Sequence, residues 1–253
     1  MAQAEPLVVL ITGGTKGIGA GIARAYLKAG HQVIVCARRA PDQPICEGES
    51  EATFIVADLK QLESIDELFH TIQNRFGRLD VLINNAGGSP AVDAATVSPR
   101  FHASIIHLNL IAPLHVAQQA NALMQQNERA GSIIFIGSIS ALRASPGTAA
   151  YGAAKAGVLS LVQSLAVEWS PKVRVVAISP GLIQTEQAHL HYGDDDGIAA
   201  VASTIPLERL GTPDDVAQAC LFASSDAASY LSGSNILLHG GGEKPAFLSA
   251  QRD

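Results

Sequence analysis

The chain has 253 residues, 47 % hydrophobic and 16 % charged, with a formal net charge of −6. That composition excludes wholesale disorder. The 17 Lys and Arg form no basic stripe, which argues against a nucleic-acid partner. No run of about 18 apolar residues offers a membrane span. The start, Met1–Leu10, lacks the basic opening and small-residue cleavage site of a signal peptide. Cys36, Cys46 and Cys220 are too few and too scattered for a disulfide framework or a zinc knuckle. The expectation is a cytoplasmic protein with reduced thiols and no membrane partner.

Seven β-rich runs follow in chain order: Leu7–Ile11, Gln32–Cys36, Thr53–Ala57, Val81–Ile83, Ser132–Ile136, Arg174–Ile178 and Asn235–Leu238. Segments with helical periodicity separate them. Several runs (VVLI, VIV, SIIFI, VRVVAI) are continuously apolar, as in strands of a parallel sheet buried by helices on both faces. Repeated strand–helix alternation predicts a doubly wound α/β fold. No composition break divides residues 1–253, so one domain is expected.

Two helical segments lack a charged face. Phe101–Asn127 has no Asp, Glu, Lys or Arg, and Ala150–Val167 has Lys155 alone. A helix lying on a sheet normally keeps one charged face toward water. Each segment therefore buries a second face, in a large core or, the preferred reading, at a subunit interface across a two-fold axis.

The first strand ends in Thr12-Gly13-Gly14-Thr15-Lys16-Gly17-Ile18-Gly19, just before a helix. Glycines there permit a tight turn and close approach of a pyrophosphate to the helix N-terminus. The spacing is T-G-x-x-x-G-x-G rather than G-x-G-x-x-G. The second strand runs into Ala37-Arg38-Arg39, with no carboxylate for a ribose 2′-hydroxyl. Two arginines, with Lys16 nearby, suit a 2′-phosphate instead. NADP(H) is thus expected over NAD(H).

These motifs converge with others downstream: Asp58-Leu59, Asn84-Asn85-Ala86-Gly87, Asn109, Ser138, Tyr151-x-x-x-Lys155 and Pro180-Gly181-x-x-x-Thr185. In this order, with thirteen residues from Ser138 to Tyr151, the chain resembles the short-chain dehydrogenase/reductases over nearly its whole length. The resemblance implies a Rossmann fold with a seven-stranded parallel sheet, often in a homotetramer. It implies that Asp58 and Leu59 border the adenine and that Asn85, Ala86 and Gly87 lie along the cofactor. It also implies that Pro180, Gly181, Ile183 and Thr185 touch the nicotinamide end. One departure is Val176, where many members have Asn.

Ketone reduction needs a hydride at carbon and a proton at oxygen. The dinucleotide supplies the hydride. Tyr151 and Lys155, at i and i+4, share a helix face. A lysine ammonium beside the phenol, together with an oxidised nicotinamide, would lower its pKa from about 10, making Tyr151 the proton donor in reduction and the base in oxidation. Ser138, just past a strand end, would hydrogen-bond the substrate oxygen; Ser140 is the rival. Asn109 lies four residues before Pro113, which has no N–H to offer the Asn109 carbonyl. The resemblance implies that this Asn holds a water in a proton relay.

At the substrate end, residues 184–205 are expected to form a lid, and Arg143 with Ala144–Ala149 a second wall. The lid carries His189, His191, Tyr192 and Asp194–Asp196, but no metal site is expected. The leading expectation is an NADP(H)-dependent oxidoreductase interconverting a secondary alcohol and a ketone. The tail Pro206–Gly211 through Gly240–Gly242 resembles the 3-oxoacyl-[acyl-carrier-protein] reductase branch, so thioester reduction is an alternative. Arg129, Lys172 and Arg174 are then the candidates for docking an acidic carrier. A dinucleotide sensor without turnover is the reading from another class.

Overall fold

Alternate residues of the first strand, β1 (Val8–Thr12), feed two different layers. Val8 and Leu10 join one hydrophobic cluster, and Val9 and Ile11 join the other. The period of two that sends successive side chains to opposite faces makes a three-layer structure out of one apolar run. The computed structural model describes residues 5–247, apart from the side chains of Leu190 and His191.

Six further strands join the sheet: β2 (Gln32–Ala37), β3 (Thr53–Val56), β4 (Val81–Asn84), β5 (Gly131–Ile136), β6 (Val173–Pro180) and β7 (Asn235–Leu238). The order is β3-β2-β1-β4-β5-β6-β7, and every pairing is parallel. The helices are α1 (Gly17–Lys28), α2 (Leu62–Phe76), α3 (Pro99–Ile106), α4 (Ala112–Met124), α5 (Ala149–Glu168), α6 (His189–Tyr192), α7 (Asp195–Ser203) and α8 (Pro213–Ser224). One core lies between the sheet and α2, α4 and α5, through residues such as Leu68, Val116 and Val158. The other lies between the sheet and α1 and α8, through Ile22, Tyr26 and Val216. A Cβ at Gly21 would lie 2.4 Å from the Pro213 Cβ, so α1 and α8 meet backbone to backbone there.

The seven expected strands all occur, with ends shifted by at most two residues. A hairpin of two short strands, Cys46–Glu47 with Ser50–Glu51, lies outside the sheet and adds to the seven expected strands. β1 and β5 are buried along their whole length, while the edge strands β3 and β7 are only half-buried.

The two charge-poor segments become α3–α4 and α5. By length and a mean hydropathy of 1.2, α5 could cross a membrane. Its inner face, Val158, Val162 and Leu165, packs into the sheet core instead, as for the core helix of a globular protein. Its outer face carries Ala153, Ala156, Ser160 and Val167, the last 80 % exposed. The α3–α4 helix loosens into a π-turn over His107–Ile111, where the Ala112 N–H reaches back five residues to the His107 carbonyl. Pro113 cannot donate to Asn109, and a turn of wider register suits the missing bond.

Candidate active site

Strand order reverses between β1 and its neighbours β2 and β4, which opens a crevice at the carboxyl ends of the strands. A cleft of about 700 Å³ lies there. The expected residues Gly13, Lys16, Gly17, Ile18, Gly19, Arg38, Asp58, Leu59, Asn85, Ala86, Gly87, Ser138, Tyr151, Lys155, Pro180, Gly181, Ile183 and Thr185 all line it. Thr15, Arg39 and Asn109 do not.

The glycine turn is tied down from β4. The Thr12 hydroxyl accepts from the Asn85 and Ala86 N–H groups at 3.0 Å each. The Asn85 side-chain amide donates to the Thr12 and Gly13 carbonyls at 2.9 and 3.2 Å. At Gly19 a Cβ would sit 2.3 Å from the Gly13 oxygen, so no side chain fits where helix and turn close on each other. Gly17 differs. Its φ of +53° is left-handed, which favours glycine, and a Cβ there would meet nothing nearer than Thr185 and Glu186 atoms at 3.6–3.9 Å.

The turn fits a dinucleotide phosphate on its own evidence. The Gly17 N–H, at the N-terminus of α1, donates to the Glu186 Oε1 at 2.9 Å. That carboxylate oxygen stands in for a phosphate oxygen at a helix end suited to anions. At the far end of the cleft, β2 finishes in a half-buried Ala37 followed by exposed Arg38. Lys60, two residues past Asp58, also lines this end, with its Nζ donating to the Ser104 Oγ at 2.6 Å.

Tyr151 and Lys155 project from the first turns of α5. The Lys155 Nζ is buried, donates to the Ile136 carbonyl at 2.6 Å and lies 5.6 Å from the centre of the Tyr151 ring. Burial pulls the lysine pKa down from 10.5 to about 8. The expected lowering of the phenol counts on an oxidised nicotinamide as well as the lysine, and the chain's own groups act the other way. Burial raises the Tyr151 pKa, and a Ser138 hydroxyl close enough to hydrogen-bond it only partly opposes that. The same desolvation that weakens the lysine's charge penalises the phenolate. Ser138 stands in the loop after β5, its Oγ accepting from the Ser140 N–H at 3.1 Å.

Asn109 is completely buried, and its side chain holds the loop after β4. Its Oδ1 accepts from the Gly88 N–H at 2.8 Å, and its Nδ2 donates to the Gly88 and Ile105 carbonyls at 3.0 and 2.9 Å. The sequence argument pointed to its main-chain carbonyl, whereas these bonds belong to the side-chain amide. Gly87 sits between them, where a Cβ would lie 2.6 Å from the Asn109 Oδ1 and 3.7 Å from the Lys155 Nζ.

Sequence reasoning also missed Gly88, Leu108, Lys60, Glu186 and Gln187 in the cleft wall. Gly88, Leu108, Lys60 and Glu186 adjoin expected site residues, and Glu186 and Gln187 lie within the expected lid, so adjacency was the available signal. Cys36 lines the cleft as well, but burial pushes its thiol up to about 12, so it stays protonated.

In the 184–205 stretch, Asp194 caps α7 by accepting from the Gly197 N–H at 3.1 Å. Among the described residues no cluster of His, Cys, Asp or Glu could hold a metal; the side chain of His191 lies outside them. Arg143 pairs with Glu243 at 2.6 Å. The three basic candidates for carrier docking are corrected. Arg129 and Lys172 precede β5 and β6, and Arg174 lies at the start of β6, so all three sit at the amino ends of the strands, opposite the cleft. Arg174 is moreover spent on the Leu231 carbonyl at 3.0 Å.

A family model described as enoyl-(acyl carrier protein) reductase matches residues 13–243. The chain belongs to the short-chain dehydrogenase/reductase family. Its members are NAD(P)-dependent oxidoreductases acting on CH–OH groups or the corresponding ketones. The chain is 35 % identical over 250 residues to Protein FixR of Bradyrhizobium diazoefficiens, covering 94 % of this chain and 87 % of that one. It is 34 % identical over 236 residues to the 3-oxoacyl-[acyl-carrier-protein] reductase MabA of Mycobacterium tuberculosis, covering 92 % and 91 %. The ligand-free aldohexose dehydrogenase of Thermoplasma acidophilum superposes with a TM-score of 0.86 at 28 % identity, covering 98 % and 96 %.

Proposed function

We propose that the protein is an NADP(H)-dependent oxidoreductase that interconverts a secondary alcohol and a ketone, with Tyr151 as acid and base. The observation that carries this reading is the sharing of one cleft by the Gly17 anion site, Arg38, Ser138, Tyr151 and Lys155. Bound NADPH would supply the hydride. The chain's residues do the rest. Arg38 and Lys16 hold the 2′-phosphate, and Asp58 and Leu59 border the adenine. Asn85, Ala86 and Gly87 lie along the cofactor, and Pro180, Gly181, Ile183 and Thr185 flank the nicotinamide. Ser138 orients the carbonyl oxygen, and Tyr151 delivers a proton to it from within hydrogen-bond reach. Burial keeps the phenol protonated but makes it a weaker acid, so transfer of its proton needs a neighbouring charge. Lys155, charged at neutral pH with a pKa of about 8, favours the phenolate that is left. Asn109 fixes Gly88 and with it the floor beneath Lys155.

Residues 184–205, with Tyr192 and Gln187 in the cleft wall, form the lid of a single domain. The apolar outer face of α5 supports a homo-oligomer, a dimer or tetramer, in a reducing cytoplasm. Light scattering at micromolar concentration should exclude a monomer. The positions of Arg129, Lys172 and Arg174 favour small ketones over carrier-bound thioesters.

The test is NADPH oxidation with a panel of hydrophobic ketones and acetoacetyl-CoA, with NADH in parallel. Turnover with ketones and NADPH supports the reading. Rapid turnover with the thioester moves the protein to acyl-chain metabolism. Tight NADPH binding without any turnover revives the sensor.

A further inference from the structure

Glu186 follows Thr185 at the start of the 184–205 segment, and it reaches across the cleft to the first residue of α1. Its partner is 169 positions away in the chain, so this is a tertiary contact and not a local cap. The end of α1 has no local substitute. Lys16 at the N-cap makes no side-chain cap, and the first turn contains no acidic residue. The orphan N–H groups of a helix start need an acceptor, and an anion is the preferred one. Here the acceptor is a carboxylate brought in by the lid. Gly17 and Glu186 both line the cleft.

We propose that Glu186 is a built-in competitor for the dinucleotide's diphosphate. Its carboxylate occupies the amide that a phosphate oxygen would take, so cofactor entry displaces it. Displacement also frees the beginning of the lid from α1, and Gln187 and Tyr192 on that segment line the same cleft. This inference rests on the reading of the cleft as a dinucleotide site. It makes Glu186 a positioning residue with a signature unlike that of Arg38. The diphosphate is common to NADPH and NADH, so Glu186 weakens both by the same factor. Arg38 faces the group that distinguishes them.

Two substitutions separate competition from simple repulsion between acids. Glu186→Ala removes both the charge and the hydrogen bond. Glu186→Asp keeps the charge but is one methylene too short to hold the Gly17 amide in the same geometry. Dissociation constants for NADPH and NADH are measured by cofactor fluorescence, with amide exchange of Gly17 followed in the cofactor-free protein. Both variants should bind both dinucleotides about three- to tenfold more tightly than the wild type, the span expected for an exposed charge-assisted bond. The Gly17 amide should exchange faster in both. Unchanged constants in Glu186→Ala would overturn the competitor while leaving the dinucleotide site intact. Tightening in Glu186→Ala but not in Glu186→Asp would overturn it too, because charge alone would then account for the effect. A wild type that binds neither dinucleotide would instead fail the functional reading, and the competitor with it.

Discussion

Asn109 clasps Gly88 with both ends of its side-chain amide, accepting from the N–H at 2.8 Å and donating to the carbonyl at 3.0 Å. A buried amide paired in this way positions a loop as a strand pairing would. Asn109→Ala would lose three hydrogen bonds and leave half-buried main-chain groups of Gly88 and the buried Ile105 carbonyl without these partners. Thermal or urea unfolding should show a loss of about 2–3 kcal/mol. The loop of Asn85–Gly88 should loosen with it, raising the KM for cofactor.

Lys155 carries a stability cost that function would explain. Its pKa is 10.5 unfolded and about 8 folded, so between these values the unfolded chain binds more protons. Stability therefore rises with pH from about 8 to 10.5, and the penalty is fully present below pH 8, at about 3 kcal/mol. Lys155→Met should abolish turnover yet stabilise the fold at pH 7 by about 1–3 kcal/mol, the lost bond to Ile136 offsetting part of the gain. The gain should shrink as pH rises toward 10. A variant less stable than wild type at pH 7 would contradict this account.

Tyr151→Phe should lose at least about a hundredfold in kcat, the usual contribution of a positioned acid. NADPH affinity should be nearly unchanged in fluorescence titration, because the substitution leaves the glycine turn and Arg38 intact. Equal loss of cofactor binding would assign the phenol to binding and not to proton transfer.

Arg38→Asp places an acid where Arg38 stands, next to Ala37 at the end of β2. NADPH should bind at least about tenfold more weakly and NADH more tightly. A wild type that already prefers NADH would remove the phosphate-clamp argument.

Asp215 links the turn before α8 to Arg209. Both guanidinium nitrogens reach the carboxylate, at 2.7 and 2.9 Å, and the Thr212 N–H donates to it at 2.7 Å. The Arg209 bonds come first in holding the carboxyl well below the usual range. A depressed carboxylate stabilises the fold above its unfolded pKa, near 4, and that contribution fades as pH falls further. Asp215→Asn should lower stability at pH 7 by about 1 kcal/mol, the worth of a helix cap. Melting curves of the two proteins should converge in strong acid.

The strands were legible because their signal is local. VVLI can only be buried on both faces, and a residue's neighbours two positions away share its layer. The cofactor end was legible for a related reason. Gly13, Gly17 and Gly19 sit within one turn, and Tyr151 and Lys155 within one helical turn, so spacing alone brings them together. Three matters had no such local expression. Whether Tyr151 is raised or lowered depends on how far the fold desolvates it, and burial outweighs the hydrogen bond with Ser138. Whether Arg174 faces a carrier or a carbonyl depends on which end of β6 it occupies. Whether the α1 terminus meets solvent or Glu186 depends on a contact across 169 residues, for which no periodicity exists. Chain-local chemistry thus determined the layers and the cofactor motif. The balance of burial, charge and long-range contact, which arises only when distant segments pack, decided the ionisation and partners of the residues within the cleft.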